Sequence, residues 1–396
     1  MIDIKEKRDC CGCSACVQIC PKQCISMSAD NEGFLYPQVD TTKCIDCGLC
    51  EKVCPVINQN EPREPFAVYA VKNTNDKVRL KSSSGGSFTL LAEQIISEGG
   101  VVFGARFNEH WEVVHDYTET MEGLEPFRGS KYVQSIIGDS FFKAKQFLNN
   151  GRKVLFSGTP CQIAGLKKYL RKEYSNLLTV DIICHGVPSS LVWEKYKKEI
   201  VEHANPNNNP LDLIKLYGIN FRDKTKGWRD YHCIYSVVNT NINKVINITN
   251  KHIQDPYMRL FIANYSLRPS CYHCPAKSGR SGSDITLGDC WGIKRIEKVF
   301  DDNIGVGVCV INEDNYLKDI ILLKSKNLLL PYNYLNQHNR SYYNSSIRPA
   351  RRQEFFEKME SVESVMLLAQ EFAPIKGRVL SFAEKAINFI SRYLRH

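Results

Sequence analysis

Apolar residues along the chain gather in short runs separated by polar and glycine-rich breaks. "FAVYAVKN" (66–73), "VVFGARF" (101–107), "KVLFSG" (153–158) and "LLTVDIICHG" (177–186) are short and rich in β-branched or aromatic residues, which predicts strands. "GSFTLLAEQIISEGG" (86–100), "CQIAGLKKYLRK" (161–172) and "LVWEKYKKEIVEH" (191–203) fall between or after them and read as helices. This alternation predicts an α/β body with an at least partly parallel sheet, α+β once the flanking modules are counted. Residues 211–250 look more β-rich, and 283–312 ("SDITLGD", "GVGVCVIN") return to strands. Near the end, Val379, Leu380, Phe382, Ala383, Ala386, Ile387, Phe389, Ile390, Tyr393 and Leu394 recur every three to four positions, with Arg378, Lys385, Arg392 and Arg395 on the remainder. That pattern predicts an amphipathic helix over 376–396 that docks on the body or a partner subunit, an anionic membrane surface being the alternative. Pro62 and Pro65 mark a boundary near 62. The expected division is 1–61, 66–150, 151–340 and a helical tail at 341–396.

A chain of 396 residues with 43% hydrophobic content has room for two or three cores. No run approaches the roughly 20 apolar residues of a membrane span, and "MIDIKEKRDC" has no apolar run to serve as a signal-peptide core, so the expected location is the cytoplasm. Thiols stay reduced there, and 17 cysteines then read as metal ligands or reactive groups and not as a disulfide framework. The formal charge of +9 is spread along the chain without a basic block, zinc-finger or basic-zipper pattern, which argues against a nucleic-acid partner.

The cysteines carry the strongest signal. Cys10, Cys13, Cys16 and Cys20 precede Pro21, and Cys44, Cys47, Cys50 and Cys54 precede Pro55, so C-x2-C-x2-C-x3-C-P occurs twice. Two such runs in tandem are the two-cluster bacterial ferredoxin signature, in which the fourth cysteine of each run ligates the other cluster. The implied ligand sets are Cys10, Cys13, Cys16 and Cys54 on one 4Fe-4S cluster, and Cys44, Cys47, Cys50 and Cys20 on the other. Gly12, Ser14, Ala15 and Gly48 are small enough to let backbone amides approach cluster sulfurs. Two zinc sites would not require triplets followed by Cys-Pro. A module of about 60 residues has little core, so its clusters are expected to hold it folded. Cys11 and Cys24 fall outside the spacing and read as small buried residues, as do Cys233 and Cys309 in apolar strands.

Three loops have the composition of ligand sites. In "KSSSGGSFTLL", Ser83, Ser84, Gly85, Gly86 and Ser87 open a helix, where free amides and hydroxyls can cradle a phosphate. "FSGTPCQIAG" (156–165) lies between a strand and a helix, the usual ligand position in open α/β sheets. "RGSKY" adds Arg128 and Lys131 as pyrophosphate partners. Each of these loops, taken singly, also fits an ordinary capped loop.

In combination, "SSSGGSFT", "KYVQSIIGD", "VLFSGTPCQIAGLKKYL", "DIICHGVPS", "FRDKTKGW" and "SCYHCPAKSGRSGSDITLGDCWGI" resemble the coenzyme F420 hydrogenase/dehydrogenase beta-subunit family over roughly residues 66–340. The resemblance implies an iron-sulfur flavoprotein oxidoreductase that takes electrons from a redox partner protein or reductant, through 4Fe-4S clusters to FAD, and on to a two-electron small-molecule or coenzyme acceptor. An electron-relay subunit without a substrate site is the alternative. It further implies a third 4Fe-4S cluster on Cys161, Cys184, Cys271 and Cys274, with zinc, perhaps through His185 or His273, as the other occupant. Ser84, Gly85, Gly86, Ser87, Lys131 and Thr159 become the FAD contacts, and His185 a proton donor beside the flavin. Arg222 and Lys224 would meet an anionic substrate or flavin phosphate, or else form a solvated turn. Cys290 stands where family members often have an aromatic residue, which makes it an open question as a ligand.

Overall fold

The computed structural model describes residues 1–205, 213–313, 316–362 and 364–375. The helix expected over 376–396 lies outside the described residues. No helix among them is long and apolar enough to cross a membrane.

Thirteen strands are described: β1 (Ile25–Ala29), β2 (Leu35–Val39), β3 (Ala67–Asn73), β4 (Val101–Phe107), β5 (Val113–Thr118), β6 (Val154–Gly158), β7 (Leu177–Ile182), β8 (Ile214–Asp223), β9 (His232–Asn239), β10 (Lys244–Lys251), β11 (Ile285–Asp289), β12 (Gly307–Ile311) and β13 (Ser325–Leu329). Eight form one mixed sheet in the order β13-β3-β12-β11-β7-β6-β4-β5. β4, β6, β7 and β11 run parallel, while β12 is antiparallel to both β11 and β3. β3, β4, β6, β7 and β11 therefore end at the same edge, and the loops singled out above all leave from it.

The parallel strands are apolar on both sides because both faces are covered. Val101, Phe103, Val154 and Phe156 face helices at Ser140–Asn149 and Pro160–Leu170. Val102, Leu155, Leu178 and Val180 face the helix at Ser87–Ser97 through Leu91, Ala92 and Ile95. The α/β reading holds, and strands from both sides of residue 150 share this sheet.

β8, β9 and β10 make a separate antiparallel sheet, as the β-rich stretch predicts. Cys233, Tyr235 and Val237 alternate inward from β9 and pack with Trp193, Tyr196, Phe221 and Tyr257. Phe34 and Tyr36, from the turn and second strand of the β1–β2 hairpin, enter this same core. Cys11, Cys13, Ala15 and Val53 likewise enter the core beneath β4 and β6. The cysteine module thus shares the body's core, whereas its private one is confined to Ile2, Cys24, Ile25 and Cys50 with partly buried neighbours. Cys233 and Cys309 are fully buried, as expected.

Candidate iron-sulfur centres and the adjoining edge

Each cysteine run turns into a short helix, Ala15–Ile19 or Leu49–Lys52, just after a left-handed residue. Gly12 (φ 72°), Ser14 (φ 59°) and Gly48 (φ 69°) supply the bends. Amides then point at sulfur: Gly12 to Cys10 at 3.4 Å, Asp46 to Cys44 at 3.4 Å, and Ile2 to Cys50 at 3.2 Å. Such N–H···S contacts help set cluster potentials. Cys20 meets Cys44, Cys47 and Cys50 around an open cavity of about 360 Å³, the crossed grouping expected from the spacing. Cys24 lines it too, with Sγ 3.4 Å from Cys20 Sγ. In the other group, burial first, then the charges of Cys10 and Cys54, push the Cys16 thiol up to about 12.

Cys161 lies in the first turn of the helix Pro160–Leu170, Cys184 follows β7, and Cys271 and Cys274 come from the turn around Pro269–His273. The fold brings these four together. Burial pushes Cys184 up to about 12, with Cys161 and Cys274 adding to it, and Cys274 to about 11, with Cys161 adding to it. Cys271 is raised by burial and then by Cys184 and Cys274. Four buried thiols that disfavour one another's ionisation suit a metal centre, which would hold them as thiolates. Among the described residues, no three His, Cys, Asp or Glu side chains stand close enough to share one ion, as a tetrahedral zinc site requires. The buried Lys277 ammonium donates to the Cys184 carbonyl at 2.6 Å and has no carboxylate partner among the described residues, so the enclosure suits a net-negative group.

His273 is exposed, and the His185 ring packs edge-on against Phe261 at 5.1 Å with a buried Nε2 that has no partner. Cys290 is fully buried elsewhere, where the Tyr334 hydroxyl donates to its sulfur at 3.1 Å.

Cys11, read from sequence as packing, joins the two sets: its thiol is in hydrogen-bond contact with those of Cys13 and Cys161. Gly165 allows this approach, since a Cβ there would stand 2.9 Å from both Cβ and Sγ of Cys13. In a helix alanine normally outdoes glycine by about 1 kcal/mol. Here the sign should reverse: Gly165→Ala is expected to speed iron loss to a chelator from the Cys10 centre and spare the Cys20 centre, as followed by absorbance.

At the other end of the edge, the two basic and serine-rich loops meet. Ser83 Oγ lies 2.8 Å from Ser130 Oγ, and Arg128 Nε donates to Thr89 Oγ1 at 3.2 Å. Ser84 Oγ donates to Val306 O at 2.7 Å, while the buried Ser87 hydroxyl has no partner. Gly86 has φ 82° at the helix start. Gly85 owes its identity to packing, because a Cβ would collide with Val71 O and Gly307 N. Lys131 Nζ donates to the carbonyls of Pro126 (2.6 Å) and Arg128 (2.8 Å), and burial pulls it down to about 7. Arg222 and Lys224 are buried and do not form a solvated turn: Arg222 pairs with Asp289 at 2.8 Å and donates to Ser83 O at 3.0 Å, and Lys224 donates to Ser84 O at 3.1 Å. Burial, then Arg222, pulls Lys224 down to about 7. Thr159 sits instead with the cysteines, capping its helix with Oγ1 3.3 Å from Cys161 Sγ. The orphaned Ser87 hydroxyl, among cations at a helix start, fits a phosphate-bearing cofactor.

Residues 9–58 match the family described as "4Fe-4S dicluster domain", and residues 151–320 match the family of the C terminus of the coenzyme F420 hydrogenase/dehydrogenase beta subunit. The chain is 40% identical to a ferredoxin of Streptomyces griseus over 96 residues, 24% of this chain and 80% of that one. It is 26% identical over 202 residues to the coenzyme F420-dependent sulfite reductase of Methanocaldococcus jannaschii, which covers 49% of this chain but only 30% of that protein's length. A chain of the F420-reducing [NiFe] hydrogenase complex from Methanosarcina barkeri aligns with a TM-score of 0.43 and 16% identity, covering 76% of this chain and 94% of that one. The two cysteine runs and the sequence matches define an iron-sulfur electron-transfer protein of the oxidoreductase class, with two 4Fe-4S clusters in its N-terminal part. The chain belongs to the coenzyme F420 hydrogenase/dehydrogenase beta-subunit family and carries a two-cluster ferredoxin-type domain.

Proposed function

We propose that the chain is an iron-sulfur flavoprotein oxidoreductase connecting a ferredoxin-like electron donor to a two-electron acceptor, an organic substrate or a deazaflavin-like coenzyme. The observation that carries the reading is the thiol continuity from the ferredoxin-type module into the body: Cys13 touches Cys11, and Cys11 touches Cys161. Cys161, Cys184, Cys271 and Cys274 would hold a third 4Fe-4S cluster. Ser84, Ser87, Gly86 and Lys131 would hold the FAD phosphates. When bound, the clusters supply one-electron transfer and the flavin couples it to two-electron chemistry. The protein's part is placement: Cys11 spans the two cysteine sets, and Gly165 admits Cys13 to van der Waals contact with the body. His185, beside Cys184, is the proposed proton donor.

The test is cofactor extraction from anaerobically purified protein, which should yield FAD. Lys131→Met removes a charge-assisted phosphate contact worth about 1.5–3 kcal/mol, so FAD should bind roughly ten- to a hundredfold more weakly with iron unchanged. Gly86 is a poorer probe, because at φ 82° any side chain strains the backbone. Undiminished FAD affinity in Lys131→Met would move the cofactor to another loop, and absence of flavin would leave the relay reading.

A further inference from the structure

Four arginines are buried among the described residues: Arg79, Arg222, Arg268 and Arg352. Three of them have a carboxylate, Asp302, Asp289 and Glu32 respectively. Arg268, wholly buried, has none among the described residues. Its Nε donates to Cys10 O at 2.8 Å, one terminal nitrogen to Leu35 O at 2.8 Å, and the other to Gln134 Oε1 at 3.2 Å. These acceptors satisfy donors but bring no net charge. The Tyr36 ring at 4.4 Å and the Phe34 ring at 5.5 Å compensate only in part. A guanidinium cannot neutralise itself by losing a proton, and an uncompensated buried charge is among the costliest groups in a protein.

The position of Arg268 names the missing partner. Its side chain is bonded to Cys10, in the first ferredoxin-type ligand set, and its carbonyl accepts from Cys271 N at 2.9 Å, in the body's cysteine quartet. Gly12, between Cys10 and Cys13, lets the guanidinium in, since a Cβ there would stand 2.9 Å from it. A 4Fe-4S core on four thiolates carries a net charge of about −2, and reduction adds one more negative charge. We propose that Arg268 is the shared counter-charge of the Cys10 cluster and the quartet's cluster, a positioning residue that holds the module on the body and raises the reduction potentials of both. For the quartet the proposal rests on the third-cluster reading above; for the Cys10 cluster it does not.

Arg268→Lys, Arg268→Gln and Arg268→Met should be compared by EPR-monitored redox titration of the anaerobic holoprotein. The two neutral variants should shift the Cys10 cluster to more negative potential, leave the Cys20 cluster in place as an internal control, and shift the quartet's cluster as well. Arg268→Lys should stay near wild type. If the quartet holds no cluster, its signal is missing from wild type too, and the Cys10 shift still decides the matter. Unchanged potentials in an iron-replete neutral variant would overturn the proposal, as would a Lys variant that shifts as far as Gln. Should the neutral variants shed iron from the Cys10 centre, retention by Lys supports the counter-charge, and equal loss in Lys refutes it.

Discussion

Protein carrying both Cys271→Ser and Cys274→Ser should hold about 8 iron atoms where the wild type holds about 12, after anaerobic reconstitution. Serine keeps the size of the side chain but is a far poorer ligand for iron, and two of four ligands leave together. The eight cysteines of the ferredoxin-type module are untouched, so the remaining iron should retain two-cluster spectra. Cys290→Ser is the control: that sulfur is buried beside Tyr334, away from the quartet, and its replacement should leave iron unchanged. Wild type with about 8 irons and one zinc that the double variant loses would reassign the quartet to zinc, and equal iron and zinc in both would leave it as bare thiols.

Glu32→Ala should lower the unfolding free energy by about 3–5 kcal/mol, read from urea denaturation of the holoprotein. Glu32 sits in the turn between β1 and β2 and accepts two bonds, 2.9 and 2.7 Å, from Arg352 at the start of the helix Arg352–Ser361. Arg352 is only 3% exposed, so removing the carboxylate strands a charge inside the core that joins the module to the body. The double variant Glu32→Leu/Arg352→Met should recover most of the loss, because it removes both charges and keeps the volume. A loss below about 1 kcal/mol for Glu32→Ala would place the pair among those that surrounding water screens.

The strands, the helices and the two ferredoxin-type runs were legible because each is written in local spacing. C-x2-C-x2-C-x3-C-P constrains a loop within a dozen residues, and the strand "VVFGARF" occupies Val101–Phe107 as read. A basic residue three positions to either side of Cys271 and Cys274, Arg268 and Lys277, was also visible, but nothing local says that both are buried without a carboxylate. The roles of Gly85 and Thr159 looked like cofactor chemistry in one dimension; Gly85 answers to Val71 and Gly307, and Thr159 to Cys161. Most of these contacts join segments tens to hundreds of residues apart, created by strand order in the sheet, and hydrophobic pattern does not encode which strand lies beside which. The merging of cores is of the same kind: Phe34 and Tyr36 announce a buried hairpin face, but that they pack with Trp193 and Tyr257 follows only from how the chain closes on itself, where apolar surface the small module cannot cover alone is buried against the body.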